Sequence, residues 1–70
     1  MSFLLEKKLE HESACEVAIR EGRNREAIYH SAKAAEFAYA LADQSAGEIK
    51  ARYLENAEGW LEIGERLKAK

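Results

Sequence analysis

The 70-residue sequence contains no proline and no threonine, and valine and isoleucine together occur only five times. Strands favour β-branched residues, whereas alanine, leucine, glutamate, lysine and arginine favour helices. Alanine alone occurs thirteen times. The composition therefore excludes an all-β fold, and the length is that of one small domain.

The net charge is small, because eleven basic residues nearly balance thirteen acidic ones, and the sequence contains a single cysteine. This balance lacks the positive field that attracts a nucleic-acid backbone. Cys15 cannot form an internal disulfide, which favours a reducing compartment. The apolar run Phe3-Leu4-Leu5 is too short for a secretory signal or a membrane span. We expect a cytoplasmic domain with no nucleic-acid partner and no direct membrane insertion.

Helix start and stop signals occur at three places. Gly22 can adopt the positive φ found just past a helix end, and Asn24 can cap the helix that follows. Ser45 and Glu48 match the S-x-x-E capping box. Ser2 can cap the first helix.

These signals predict helices over residues 3–21, 25–43 and 46–68. Short connections between long helices imply antiparallel neighbours, so the predicted fold is an all-α, up-down-up three-helix bundle. The second helix is apolar over more than half its circumference and is therefore predicted to be central. Its neighbours carry narrower core stripes: Leu4, His11, Ala14, Cys15, Ala18 and Ile19 in the first helix, and Ile49, Tyr53, Ala57, Trp60, Gly64 and Leu67 in the third. Four aromatic residues are expected to supply most of the core bulk: Phe37, Tyr39, Tyr53 and Trp60.

Two glycines fall inside the third helix, where each costs up to about 1 kcal/mol relative to alanine. Gly64 lies on the core stripe, and we interpret it as room for a facing side chain. Gly59 has no comparable packing reason in the sequence.

Catalytic and metal-binding patterns are weak. His11 and Cys15 could present two ligands on one helix face, but zinc needs three or four, no CxxC or HxxxH motif is present, and His30 or a glutamate would have to complete the set. Arg25 and His30 resemble the R-x-x-x-x-H motif of HEPN ribonucleases, although HEPN domains have four or five helices. A phosphate-binding loop is absent, and so small a bundle has little room for a substrate cleft. We expect no enzymatic activity, no metal and no cofactor, with a HEPN-like ribonuclease as a remote alternative.

A flank of the third helix offers a binding surface. Leu54 and Leu61 are seven residues apart and lie about 90–110° from the core stripe, and Glu58 and Glu65 share their flank. Leucines that line a groove beside acidic residues are typical of a site for a partner helix. Alternatively, the two leucines only widen the buried face of the helix.

Two segments resemble MIT (microtubule-interacting and trafficking) domains, as found at the N-terminus of AAA ATPases. Residues 21–28 read EGRNREAI and are followed by Ala34, Glu36 and Phe37, similar to the family's G/N-x-x-E-A-[IL] opening and its aromatic- and alanine-rich second helix. Residues 60–68 read WLEIGERLK, similar to the family's closing Y-L-x-R-A-E-x-L-K run, with Ile63-Gly64 in place of Arg-Ala.

The resemblance covers the whole chain and implies a non-catalytic adaptor, one MIT-like domain over residues 1–70 at the N-terminus of a longer protein. MIT domains bind helical or extended motifs of ESCRT filament subunits in grooves beside their third helix. By position Leu61 matches a groove leucine and Glu65 a groove acidic residue, while Leu54 and Glu58 join them by face. Homo-oligomerisation would then come from an attached domain.

Two other interaction modules remain open. Gly22, Ala27 and Tyr29 also resemble tetratricopeptide positions, although no second repeat begins near Ser45. A bundle that associates with itself through the Leu54/Leu61 flank is the other alternative.

Overall fold

The computed structural model describes residues 2–70, which form three helices and no strand. The helices are α1 (Phe3–Arg20), α2 (Asn24–Asp43) and α3 (Gly47–Lys68). Each end lies within one residue of its predicted position, and α2 packs against both neighbours. The predicted three-helix bundle with a central second helix is confirmed.

The ends of the first two helices follow local chemistry. Ser2 caps α1, since its hydroxyl accepts a hydrogen bond from the backbone N–H three residues later at 3.3 Å. Gly22 takes the predicted left-handed conformation with φ 73°. Asn24 was predicted to cap α2, but this prediction is wrong, because Asn24 is the first residue of the helix. The N-cap is Arg23, whose carbonyl accepts from the N–H of Ala27 at 3.0 Å.

The predicted capping box at the start of α3 is wrong. The hydroxyl of Ser45 donates instead to the carbonyl of Leu41 at 2.8 Å, and therefore satisfies the end of α2. Ala46 is the N-cap of α3, and Glu48 pairs with Arg52 at 3.2 Å. In so short a connection, one serine can serve either helix, and here its hydroxyl satisfies a carbonyl at the end of α2.

Close contacts define the register of the two helix hairpins. The Cys15 thiol donates to the carbonyl of Ala27 at 3.3 Å, which aligns α1 with α2. Gly64 lies against Ser31, so close that a Cβ added at Gly64 would be 2.9 Å from the serine oxygen. The prediction that Gly64 leaves room for a facing side chain is confirmed.

The core consists of small side chains. Its buried apolar residues are Cys15, Ala18, Ala27, Ala34, Ala35, Ala38, Leu41, Ala42, Ala57 and Leu67. Tyr39 is exposed, and Phe37, Tyr53 and Trp60 are only partly buried. The expectation that aromatic rings supply most of the core bulk is therefore wrong. Alanine faces bring the helix axes close together, and the larger rings lie at the edges of the interfaces.

Two predicted core isoleucines are exposed, Ile49 by 61% and Ile19 by 40%. The hairpin register explains both. Ser31 lies opposite Gly64 in the antiparallel α2–α3 hairpin. Counting equal numbers of residues along both helices from this contact places Ile49 opposite Ala46, which is beyond the last residue of α2. The corresponding register of α1 places Ile19 opposite the loop that precedes α2. Neither side chain has a helix to cover it fully.

The outer helices stand apart. Within residues 2–70, no Cα of α1 lies within 8 Å of a Cα of α3. The bundle is accordingly broad and thin, with principal extents of 36 × 23 × 13 Å. The structure thus presents separate surfaces at the α1–α2 and α2–α3 contacts.

None of the three helices has both the length and the apolar character that crossing a membrane requires.

Candidate peptide-binding groove

The four residues predicted to line a groove lie along one flank of α3. Leu61 is 45% exposed, Leu54 is partly buried, and Glu58 and Glu65 are exposed. Leu61 is therefore an accessible apolar residue, whereas Leu54 belongs partly to the buried face. The widened core accounts for Leu54, while Leu61 has the exposure that a binding surface requires.

Leu61 and Glu65 border a hollow between α2 and α3, which we call the α2–α3 groove. Its residues are Ile28, Ser31, Ala32, Leu61, Gly64, Glu65 and Lys68. Leu54 and Glu58 lie outside this hollow, toward the N-terminal end of α3. The structure thus brings together two of the four predicted residues and adds Lys68 and the α2 side of the groove.

The α2–α3 groove is shallow. Gly64 and Ser31 form its floor, because the missing side chain at Gly64 lets the two helices approach closely. Its volume is only about 40 Å³. A bound peptide would therefore lie along the groove and place a small apolar group in it.

Charged residues border the groove on its α3 side. Glu65 and Lys68 form an ion pair of 3.5 Å in which both side chains are more than half exposed. Such pairs contribute between zero and about 1 kcal/mol. Glu65 can therefore exchange Lys68 for a cationic side chain of a partner at little cost.

A second cluster joins α1 to α2 and was not predicted. The Nδ1 atoms of His11 and His30 lie 2.8 Å apart, and Phe37 stacks on the His11 ring. From the sequence, His30 was a candidate for completing a metal site with His11 and Cys15, but no direct contact between the two histidines was predicted. The pairing follows once Cys15 is aligned with Ala27, since each histidine lies about one turn further from the loop.

A third cluster links α1 to α3. Glu12 accepts hydrogen bonds from the Lys8 ammonium at 2.6 Å and from the Trp60 indole at 3.0 Å. Lys8 is 7% exposed, an unusual burial for a lysine. Sequence patterns carried no sign of this burial.

The possible metal ligands do not gather. The Cys15 thiol is fully buried and bound to the Ala27 carbonyl, while His11 turns to His30. Within the described residues, no three histidine, cysteine, aspartate or glutamate side chains are placed to hold one metal ion. Arg25 of the HEPN-like pair is exposed.

No protein-family model, curated protein or solved structure matches this chain. The resemblance to MIT domains therefore depends on the sequence motifs alone.

Proposed function

We propose that this domain is a non-catalytic adaptor that binds a helical or extended peptide motif of a partner protein along the α2–α3 groove. Leu61 carries the proposal, because it is 45% exposed and stands at the edge of the hollow. Leu54 and Glu58 would extend the contact along α3 in the direction of its N-terminus. The MIT resemblance supports the same surface.

The partner peptide would carry an apolar residue flanked by arginine or lysine. Glu58 and Glu65 offer two carboxylates on one flank, and both are exposed. Pairing across a groove edge contributes mainly to specificity and to the association rate. An ESCRT filament subunit with a short terminal helix is the partner class that the resemblance suggests.

The cellular setting is part of the proposal. The MIT resemblance places the domain in the cytoplasm, beside an AAA ATPase that it recruits to its substrate, and a single buried thiol accords with a reducing compartment. The balance of eleven basic and thirteen acidic residues argues against a nucleic-acid partner.

Binding can be tested by fluorescence anisotropy with labelled peptides from the C-terminal tails of ESCRT filament subunits. Leu61→Asp should abolish binding and leave far-UV helicity close to wild type. The matched control is Leu9→Asp on α1, because Leu9 is exposed to a similar extent, 47%. The control also accounts for the lower helix propensity of aspartate.

Three results would contradict the groove assignment. Equal loss of binding in Leu9→Asp would mean that α1 takes part in binding or that the effect is nonspecific. Unfolding of Leu61→Asp alone would place Leu61 in the core. Concentration-dependent sedimentation that Leu61→Asp abolishes, without peptide binding by the wild type, would replace the adaptor with a self-associating bundle.

A further inference from the structure

The His11–His30 pair is a side-chain contact between α1 and α2, one turn from the Cys15–Ala27 hydrogen bond. The two Nδ1 atoms lie 2.8 Å apart, a hydrogen-bonding distance. The Phe37 ring is nearly parallel to that of His11, at an angle of 10° and a centroid distance of 5.7 Å, and covers one of its faces. Tyr29 meets both imidazoles edge-on, at 6.1 Å from His11 and 5.1 Å from His30. The pair is therefore confined by aromatic rings.

This geometry limits the number of protons that the two imidazoles can carry together. One Nδ1 must carry a hydrogen and the other a lone pair, since two lone pairs or two N–H groups cannot form the bond. The donor imidazole can take up an extra proton on its outer nitrogen and still donate. When the second imidazole is also protonated, two N–H groups and two positive charges face each other.

The neighbouring charges oppose that second proton. Lys7 and Glu10 from α1 and His30 and Lys33 from α2 are the charged groups that act on His11. Burial lowers the pKa of His11 from its ordinary value of 6.5, His30, Lys33 and Lys7 lower it further, and Glu10 acts in the other direction. Lys33 is itself paired with Glu36 at 3.2 Å.

We propose that His11 and His30 form a proton-sensitive clamp, which fastens α1 to α2 when at least one imidazole is neutral and releases α1 when both are protonated. The contacts between α2 and α3 at Ser31–Gly64 do not involve α1. Weakening of the clamp therefore acts first on the α1–α2 contact, and it reaches α3 only through the Glu12–Trp60 hydrogen bond and the core that α1 and α3 share. The proposal is independent of what the groove binds.

The sign of the pH effect follows from the lowered pKa of His11. Above pH 6.5, both folded and unfolded chains hold this imidazole neutral, and the clamp is complete. As the pH falls below 6.5, the unfolded chain binds the proton more readily, so the stability of the clamped state is lost progressively toward the lower pKa of the folded chain.

The first experiment is urea unfolding of the whole chain between pH 8 and pH 5.5, followed by far-UV circular dichroism. The ratio of folded to unfolded wild type should fall over this range by up to about tenfold, the linkage limit for one histidine. His11→Gln and His30→Gln keep a neutral side chain that can both donate and accept, so each should change less than about threefold. The range ends at pH 5.5 so that it stays above the reference pKa of a glutamate side chain, about 4.3.

A second measurement keeps the proposal testable if a glutamine variant does not fold. Hydrogen exchange of the wild type at pH 5.5 and pH 8, corrected for the intrinsic rates, should show protection lost in α1 and retained in α3. Equal loss in both helices would overturn a local clamp. A wild-type stability independent of pH over this range, or glutamine variants as pH-dependent as the wild type, would overturn it as well.

Discussion

Trp60 on α3 donates a hydrogen bond of 3.0 Å to the carboxylate of Glu12 on α1, across a bundle whose outer helices stand apart. The same carboxylate oxygen accepts from Lys8 at 2.6 Å. Glu12 thus connects α1 to α3 by a side-chain hydrogen bond, in addition to the core that the two helices share. The connection lies over the alanine-rich face of α2, where Trp60 packs against the core.

Trp60→Phe should lower the free energy of unfolding by about 1–2 kcal/mol, because the variant keeps an aromatic ring but loses a donor to a charged acceptor. Urea unfolding followed by far-UV circular dichroism measures the change without the tryptophan signal. Tyr39→Phe is the control, since Tyr39 is 37% exposed and its change should stay within about 0.5 kcal/mol. Similar losses in both variants would show that the indole hydrogen bond does not contribute.

Lys8→Ala should destabilise the domain by about 2 kcal/mol, because removing one partner leaves a partly buried carboxylate with one donor fewer. Lys7→Ala is the matched control on the next residue of the same helix. Its pair with Glu10 spans 3.5 Å and has side chains exposed by 39% and 64%. The control should change stability by less than about 0.5 kcal/mol. An equally small effect of Lys8→Ala would mean that solvent screens the Lys8–Glu12 pair as well.

Helix ends and the central position of α2 could be predicted because both depend on local sequence. Gly22 stops α1 through its own backbone freedom, and the wide apolar face of α2 requires two neighbours. Ser45 was misassigned since it lies between two helix ends and can serve only one. The choice depends on how the chain turns, which residue types alone do not specify.

The candidate site was only partly predictable for a related reason. Helical periodicity gives the angle of Leu61 on α3 but not the position of α2 beside it. The same limit applies to His11 and His30, whose contact depends on the register of the α1–α2 hairpin. Aligning Cys15 with Ala27 supplies that register, and it was visible only in the structure.

Gly59→Ala and Gly64→Ala should have opposite effects on stability. A Cβ at Gly59 meets no heavy atom within 4 Å in the described part of the chain, so alanine should stabilise α3 by about 0.5–1 kcal/mol. A Cβ at Gly64 would lie 2.9 Å from the Ser31 oxygen. Because that oxygen is held by a 2.8 Å bond to the Ile28 carbonyl, we expect a net loss of about 1–2 kcal/mol.

Thermal unfolding can distinguish the two glycine variants, since 1 kcal/mol shifts the midpoint of so small a domain by about 4–8 °C. A rise for Gly64→Ala would mean that Ser31 moves aside at little cost. A fall for Gly59→Ala would contradict the open surroundings of that glycine.

Cys15 should be almost unreactive in the folded domain. Its side chain is fully buried and donates to the Ala27 carbonyl, and desolvation, followed by the charge of Glu16, raises the pKa of the thiol above its ordinary value of 9.0. Since the thiolate is the reactive form, a disulfide reagent at pH 8 should react about 100-fold more slowly than in urea. The raised pKa of Cys15 also means that the folded domain keeps its stability below pH 9.0 and loses stability as the pH rises above that value, because the unfolded chain then releases the thiol proton more readily. Ser13→Cys in a Cys15→Ala background supplies an exposed thiol on the same helix, which should react at nearly the unfolded rate. Equal rates for Cys15 of the folded wild type and for the thiol of the Ser13→Cys variant would show that α1 opens freely from α2 at this pH.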